Sequence, residues 1–388
     1  MLVQQRSPGY GRDDLLIHLF LPYPFIIFCY IFKMDSAMAN NNSLDFLIQW
    51  HLTEKCNLKC THCYQTGEHR TELSPSEVKK AIQEISHTLN SWHENYDIDF
   101  SPSLNITGGE PLLRKDIFEI LGEFHTIGFD TYLLTNGILV DDRTVDTLCG
   151  VGVKGVQVSI EGPEEIHDSI RGKNSFQRSL QGVKHMVNAG LEVTLNVTVS
   201  AINASQLMHT VDIASQLGVS RLGFSRLVPS GKGKALLPEM LSAAEVHELY
   251  KKLFALIPDD GLEIVTGDPV ASQFRNSLQD MDFGNIPLGG CAAGVSGLTI
   301  LPDGTVVPCR RLPIPLGNVR EDSLREIWAM SPVLNDLRDR DKYQGKCGSC
   351  QNWANCRGCR AIAYAYAESS GKGDYLATDP QCFIGSCA

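Results

Sequence analysis

The cysteines constrain this chain more than any other feature. Thirteen occur in 388 residues, and they are not scattered. Cys56, Cys60 and Cys63 crowd one short segment, seven lie from Cys291 to Cys382, and Leu191 to Gly290 holds none. Such a count demands disulfides, metal or both. Short C-x2-C spacings are the metal signature, whereas secreted disulfide scaffolds are usually small, so the setting reads as reducing and cytoplasmic.

Charge narrows the partners. A net charge of -11 and a pI near 5.5 argue against nucleic acid or anionic membrane, because phosphate binding needs a basic surface. One segment runs against a cytoplasmic reading: Leu15 to Phe32 is almost wholly apolar and resembles a signal core or short anchor. Pro22 and Pro24 interrupt it, Asp13 and Asp14 stand where positive charge belongs, and no small-residue cleavage site follows Phe32. Residues 1–40 are therefore expected to be a doubtful apolar leader or a mis-started extension, with Met34 or Met38 as alternative starts, or else a genuine anchor or packing segment.

From Phe46 onward, short β-rich runs alternate with amphipathic stretches, the pattern of a parallel sheet with crossover helices. Strands are predicted at 46–53, 103–107, 131–135, 155–160, 192–200 and 221–228, and helices near 76–91, 114–127, 141–149, 175–189, 205–217 and 242–256. Six strand-helix units make an α/β fold that curls into a partial (β/α)6 barrel, with its active face at the strand C-termini. A core domain over 46–278 ends in an aperiodic linker, Gln279 to Gly290. A small cysteine-rich domain, 291–388, follows, with a hairpin around Asp303-Gly304 and a helix at 323–330.

Cys56, Cys60 and Cys63 form C-x3-C-x2-C directly after the first strand. Three thiolates at that spacing can wrap one face of a cubane cluster and leave the fourth iron open to chemistry. The alternative is zinc, completed by His62 or His69. The segment Cys56-Asn57-Leu58-Lys59-Cys60-Thr61-His62-Cys63-Tyr64 resembles the cluster loop of the radical S-adenosylmethionine (SAM) superfamily. That resemblance implies a [4Fe-4S] cluster whose open iron chelates SAM, reductive cleavage to methionine and a 5'-deoxyadenosyl radical, and Tyr64 beside the adenine. It also implies that Gly108, Gly109, Glu110 and Pro111 hold the SAM amino group and that Ser159 and Glu161 meet the ribose, where Asp is commoner than Glu. Arg171 resembles an arginine facing the SAM carboxylate, or is a surface ion pair. Thr135-Asn136-Gly137 reads as a turn in preference to a pocket wall, and Asn196 and Arg226 are open between site and structural roles.

Cys291, Cys309, Cys347, Cys350, Cys356, Cys359 and Cys382, with Gly304, resemble the SPASM extension of radical SAM peptide and cofactor maturases. The resemblance implies two auxiliary clusters, one on Cys347, Cys350, Cys356 and Cys382 and another on Cys291, Cys309 and Cys359. The x2 spacing from Cys356 to Cys359 departs from the commoner x3, and Cys387 is an eighth ligand or a spare thiol. Zinc on the C-x2-C pairs is the alternative. Cys149 reads as a core residue and Cys29 as part of the leader.

The stretch from Cys359 to Cys382 resembles a SPASM variety shared by ribosomal-peptide maturases and by enzymes of haem and modified-tetrapyrrole biosynthesis. The expected substrate is a peptide, with tetrapyrrole the alternative, and a non-catalytic iron–sulfur carrier or zinc module is a third reading. Leader-binding modules need on the order of eighty residues, and only about forty-five precede the first strand. A peptide substrate would then need a separate recognition protein or strand addition. An external reductant such as flavodoxin or ferredoxin completes the expected partners.

Overall fold

The computed structural model describes residues 43–67, 70–256, 261–274 and 285–385. The segment Leu15 to Phe32, Cys29, His69, Cys387 and the start of the linker lie outside them. Seven strands run parallel and pair in chain order: β1 (Ser43–His51), β2 (Asp99–Thr107), β3 (Asp130–Thr135), β4 (Gly155–Ser159), β5 (Glu192–Val199), β6 (Arg221–Arg226) and β7 (Glu263–Val265). The crossovers carry α1 (Pro75–Tyr96), α2 (Ile117–Ile127), α3 (Asp142–Gly150), α4 (Glu164–Arg171), α5 (Ser175–Asn188), α6 (Leu207–Leu217) and α7 (Ala243–Phe254).

All six expected strand-helix units are present, with ends shifted by a few residues. The structure adds β7 and α4, both too short to leave a periodic signal. Helix starts are locally encoded. Ser74 caps α1 and Glu77 reaches back to the Ser74 amide, and Ser242 with Glu245 repeats this reciprocal capping at α7.

Strand alternation divides the sheet into two chemically different faces. One set of side chains is apolar and packs on the helices: Trp50 stacks on Phe124 of α2 with ring centroids 5.4 Å apart, and Val193, Leu195 and Val197 are fully buried. The alternate set is polar, including Gln49, His51, Asn105, Gln157, Asn196 and Thr198. A purely structural barrel fills its centre with branched apolar residues, so this polar interior marks a chamber for something polar.

The C-terminal region joins the same sheet. β8 (Gly297–Ile300) and β9 (Thr305–Val307) form the expected hairpin around Asp303-Gly304, and β10 (Gly317–Asn318) pairs antiparallel with β9. β8 lies parallel to β1, so the order is β10-β9-β8-β1-β2-β3-β4-β5-β6-β7. A Cβ on Gly297 would stand 2.5 Å from the Leu47 carbonyl oxygen, so the absent side chain permits this pairing. Four further helices follow: α8 (Leu324–Met330), α9 (Pro332–Arg338), α10 (Gly345–Ser349) and α11 (Arg360–Ser369). Trp328 of α8 meets Phe46 of β1 at 5.1 Å, and one apolar core runs from Leu44 to Phe383. Among the described residues no helix is long and apolar enough to cross a membrane.

Candidate active site

The three-cysteine loop leaves the C-terminal end of β1 and is tied down by several neighbouring loops. The amides of Gly109 and Glu110 donate to the carbonyls of Thr53 (2.7 Å) and Lys55 (2.8 Å), Thr61 donates to Ile170 (2.9 Å), and Gly233 donates to Cys63 (3.0 Å). Asn136 closes a turn by accepting from the Ile138 amide, and its Nδ2 also donates to Asn57 Oδ1 at 2.7 Å. It therefore serves both as a turn residue and as a tether of the cysteine loop, a second role that its local sequence does not signal.

The two glycines of Gly108-Gly109 are needed here for a tight protein contact. A Cβ on Gly108 would lie 2.3 Å from the Thr53 carbonyl oxygen, and one on Gly109 would lie 2.2 Å from that of Lys55. Gly109→Ala is therefore expected to push the loop outward, costing about 1–3 kcal/mol of stability. A misplacement of about 1 Å can cost a reaction on the order of a hundredfold, so the SAM cleavage that the resemblance implies should fall by about that much. Denaturant unfolding and chromatographic assay of 5'-deoxyadenosine check the two effects; wild-type values in both would contradict the steric account.

The acidic residues expected to meet SAM are both buried. Glu110 accepts from Thr135 Oγ1 (2.8 Å), the Leu112 amide (3.1 Å) and the Asn136 amide (2.9 Å), while burial raises its carboxyl above the usual range. Pro111 is buried and opens a short turn. Glu161 takes Arg171 Nε at 2.8 Å, His62 Nε2 at 3.2 Å and the Thr198 amide at 2.9 Å. Burial opposes its charge, yet Arg171 and His62 outweigh it and hold the carboxyl well below its ordinary value. Arg171 is thus neither a surface ion pair nor an open guanidinium; it is spent on Glu161. His62 links that pair to the cysteine loop, a role that the sequence signals only by its place beside Cys63. Ser159 is half-buried and sits in register with Asn196 on the polar face.

Tyr64 is half-buried. Its ring meets His51 edge-on at 5.7 Å, the guanidinium of Arg310 lies 5.4 Å from its centroid, and burial pushes its hydroxyl up to about 12. Burial also lowers the His51 imidazole to about 3, with Arg310 adding to the effect, so His51 is neutral.

The C-terminal cysteines gather around α10 and α11. Gln273 Nε2 donates to the sulfurs of both Cys356 (3.7 Å) and Cys382 (3.6 Å), and Arg360 Nη2 donates to that of Cys347 at 3.6 Å. Cys350 caps α10 two residues beyond the helix interior at Gly348. The Cys291 amide donates to the Cys356 carbonyl, and Arg357 to the Cys291 carbonyl. Cys309 and Cys359 flank a small apolar cluster of Val228, Leu312, Ala361, Ile362 and Ala365. Burial pushes the thiols of Cys356 and Cys359 up to about 11 and about 12, the latter raised further by Cys291.

Arg226 fixes this region to the barrel. Its guanidinium pairs with Asp268 (Nε–Oδ2 2.6 Å) and Asp379 (Nη2–Oδ2 2.9 Å) and donates to Gln381 at 3.0 Å, while the Cys359 amide donates to Asp379 at 2.8 Å. Arg226 is 2 % exposed, so its role is structural.

These residues fit iron–sulfur ligation. All eleven described cysteines are free thiols, N–H groups already point at three C-terminal sulfurs, and the buried His62 Nδ1 and Gln65 Nε2 beside the first loop have no partner. Among the described residues no three His, Cys, Asp or Glu groups could hold a single metal ion.

A curled parallel sheet with an open three-cysteine loop at its mouth and a cysteine-rich extension defines a class of iron–sulfur enzymes. The family models agree: the radical SAM superfamily matches residues 50–214, and an iron–sulfur cluster-binding SPASM domain matches 291–360. An AdoMet-dependent heme synthase of Methanosarcina barkeri is 33% identical over 353 residues, 87% of this chain and 95% of that protein. Mycofactocin maturase MftC of Mycobacterium tuberculosis is 29% identical, over 82% of this chain and 78% of its own. The crystal structure of Streptococcus suis SuiB bound to S-adenosylmethionine shares the fold, with a TM-score of 0.69 at 19% identity, over 88% of this chain and 77% of that one. The chain belongs to the radical SAM superfamily and is an enzyme.

Proposed function

We propose that this protein is a radical SAM oxidoreductase acting on a haem-type tetrapyrrole. The observation that carries the reading is the match to a heme synthase along 95% of that protein's length at 33% identity. Cys56, Cys60 and Cys63 would hold the iron–sulfur cluster, with Tyr64, Gly108 to Pro111 and Ser159 toward SAM. Glu161 acts behind that surface by holding His62, and Arg171 acts there by pairing with Glu161. Cys347, Cys350, Cys356 and Cys382 hold one auxiliary cluster and Cys291, Cys309 and Cys359 another, in an extension spanning 291–388 after a core at 46–278. When bound, these groups supply one-electron cleavage of SAM to a hydrogen-abstracting 5'-deoxyadenosyl radical and a sink for the electron that the substrate loses.

The chain's own residues orient and shield. The polar interior face offers hydrogen bonds to a polar substrate, and the loops over Tyr64 restrict water at the mouth. An external reductant such as flavodoxin or ferredoxin and a cytoplasmic setting complete the proposal. A second reading, peptide maturation with a separate recognition protein, is favoured by the similarity to MftC.

Anaerobic incubation of reconstituted protein with SAM, dithionite and an iron porphyrin bearing propionates separates the two. A lighter porphyrin product by mass spectrometry supports the tetrapyrrole reading, and an unchanged porphyrin counts against it. In the same assay Cys350→Ala should leave 5'-deoxyadenosine formation largely intact while lowering the finished product roughly tenfold, as loss of an electron sink requires. Equal loss of both in folded protein would make the C-terminal clusters structural.

A further inference from the structure

Two adjacent guanidinium groups at the barrel mouth have no acidic partner among the described residues. Arg310 and Arg311 follow Cys309 directly. Arg310 lies against the Tyr64 ring, just beyond the three-cysteine loop. Arg311 makes one long bond, from Nη1 to the Arg226 carbonyl at the end of β6 (3.4 Å), and its Nε is buried without an acceptor. Three other arginines of the barrel each have an acidic partner: Arg171 has Glu161, Arg226 has Asp268 and Asp379, and Arg114 has Asp116.

Other unsatisfied groups gather at the same place. His51 Nε2 is buried without a partner, and the His51 ring touches Tyr64. Ser230 Oγ is likewise orphaned, and Ser230 precedes Gly231, which packs so tightly on the Tyr64 carbonyl that a Cβ would stand 2.1 Å away. Native proteins rarely leave buried polar groups unpaired, and such groups are expected to meet a ligand or water. Two half-buried cations side by side in a chain of net charge -11 select an anion, and the planar guanidinium fork matches a carboxylate.

We propose that Arg310 and Arg311 bind a carboxylate of the substrate and fix it across the mouth between the ends of β1 and β6. The assignment rests on the tetrapyrrole reading, since haem-type macrocycles carry carboxylate side chains. SAM also carries a carboxylate, so the test must separate the two.

Equilibrium dialysis of the reconstituted holoenzyme uses an iron porphyrin with four propionates and its tetramethyl ester as probes. The wild type should bind the acid more tightly than the ester, and added salt should weaken only the acid. The Arg310→Gln/Arg311→Gln double variant should lose roughly ten- to a hundredfold in affinity for the acid, with ester and SAM affinities unchanged. Arg311→Lys, which keeps the charge, should recover part of the loss and serves as the control should the double variant prove unfolded. Unchanged acid affinity in the double variant overturns the assignment while leaving the tetrapyrrole reading standing. Parallel weakening of SAM overturns it in favour of the SAM carboxylate. Failure of the wild type to bind either probe overturns the tetrapyrrole reading, and the assignment with it.

Discussion

Replacing Cys56, Cys60 and Cys63 together by Ala is expected to abolish 5'-deoxyadenosine formation, with bound iron falling by about four atoms per chain and the remainder retained. The loop's attachments make this a clean experiment. Thr61 holds Ile170, Gly109 holds Thr53 and Gly233 holds Cys63 through main-chain bonds that alanine preserves, so the fold should survive. The C-terminal sulfurs take their N–H donors from Gln273 and Arg360, which lie outside the loop. Anaerobic iron and sulfide analysis, with chromatographic assay of 5'-deoxyadenosine under dithionite, measures both effects. Residual SAM cleavage, or loss of all iron from folded protein, would contradict the assignment.

Arg226→Met should be strongly destabilising. It leaves the Asp268 and Asp379 carboxylates, both nearly inaccessible to water, without their cation. Removing one partner of a buried pair costs about 3–5 kcal/mol. The damage should concentrate on the C-terminal cysteines, because Asp379 accepts the Cys359 amide and stands three residues before Cys382. Denaturant unfolding and iron retention on dilution measure it.

The pH dependence has a definite sign. Burial would raise the Asp379 carboxyl, but the charge and hydrogen bonds of Arg226 outweigh it and hold it below its ordinary value. Its stabilisation is therefore fully present above the pKa of an unfolded aspartate and is lost as pH falls through the lower folded-state value. Wild-type protein should show no contribution from this group to pH dependence between about 5 and 8, and Arg226→Met should lose most of the acid-side difference. A steep wild-type loss of C-terminal iron near neutrality would contradict this account.

Much of the candidate site is legible in the sequence. The C-x3-C-x2-C spacing, the glycines after the second strand and the seven later cysteines all carry their meaning in short stretches of chain. The less legible residues are those whose partners are distant in sequence. The family resemblance directs Glu161 to a ribose, whereas the fold engages it with Arg171 and His62. Arg226 stands between two roles in the sequence, and Asp379, 153 residues away, settles the choice by taking its guanidinium. Arg310 and Arg311 give no signal of their own, because two arginines after a cysteine have no distinctive spacing.

The sequence by itself determined the strand-helix alternation, the helix starts at Ser74 and Ser242, the Asp303-Gly304 turn and the identity of the thiols. Each follows from interactions within a few residues: a cap reaching three positions on, a strand showing alternate faces, a glycine relieving a positive φ. Only the tertiary structure decided that β8 pairs parallel with β1, making the cysteine-rich region part of the barrel's own sheet. It also decided which buried charges neutralise one another and left two half-buried guanidinium groups at the mouth without an acidic partner among the described residues. These outcomes depend on which desolvated groups the chain crossings bring together, and burial makes a charged group's free energy depend on that choice far more than on its neighbours in sequence.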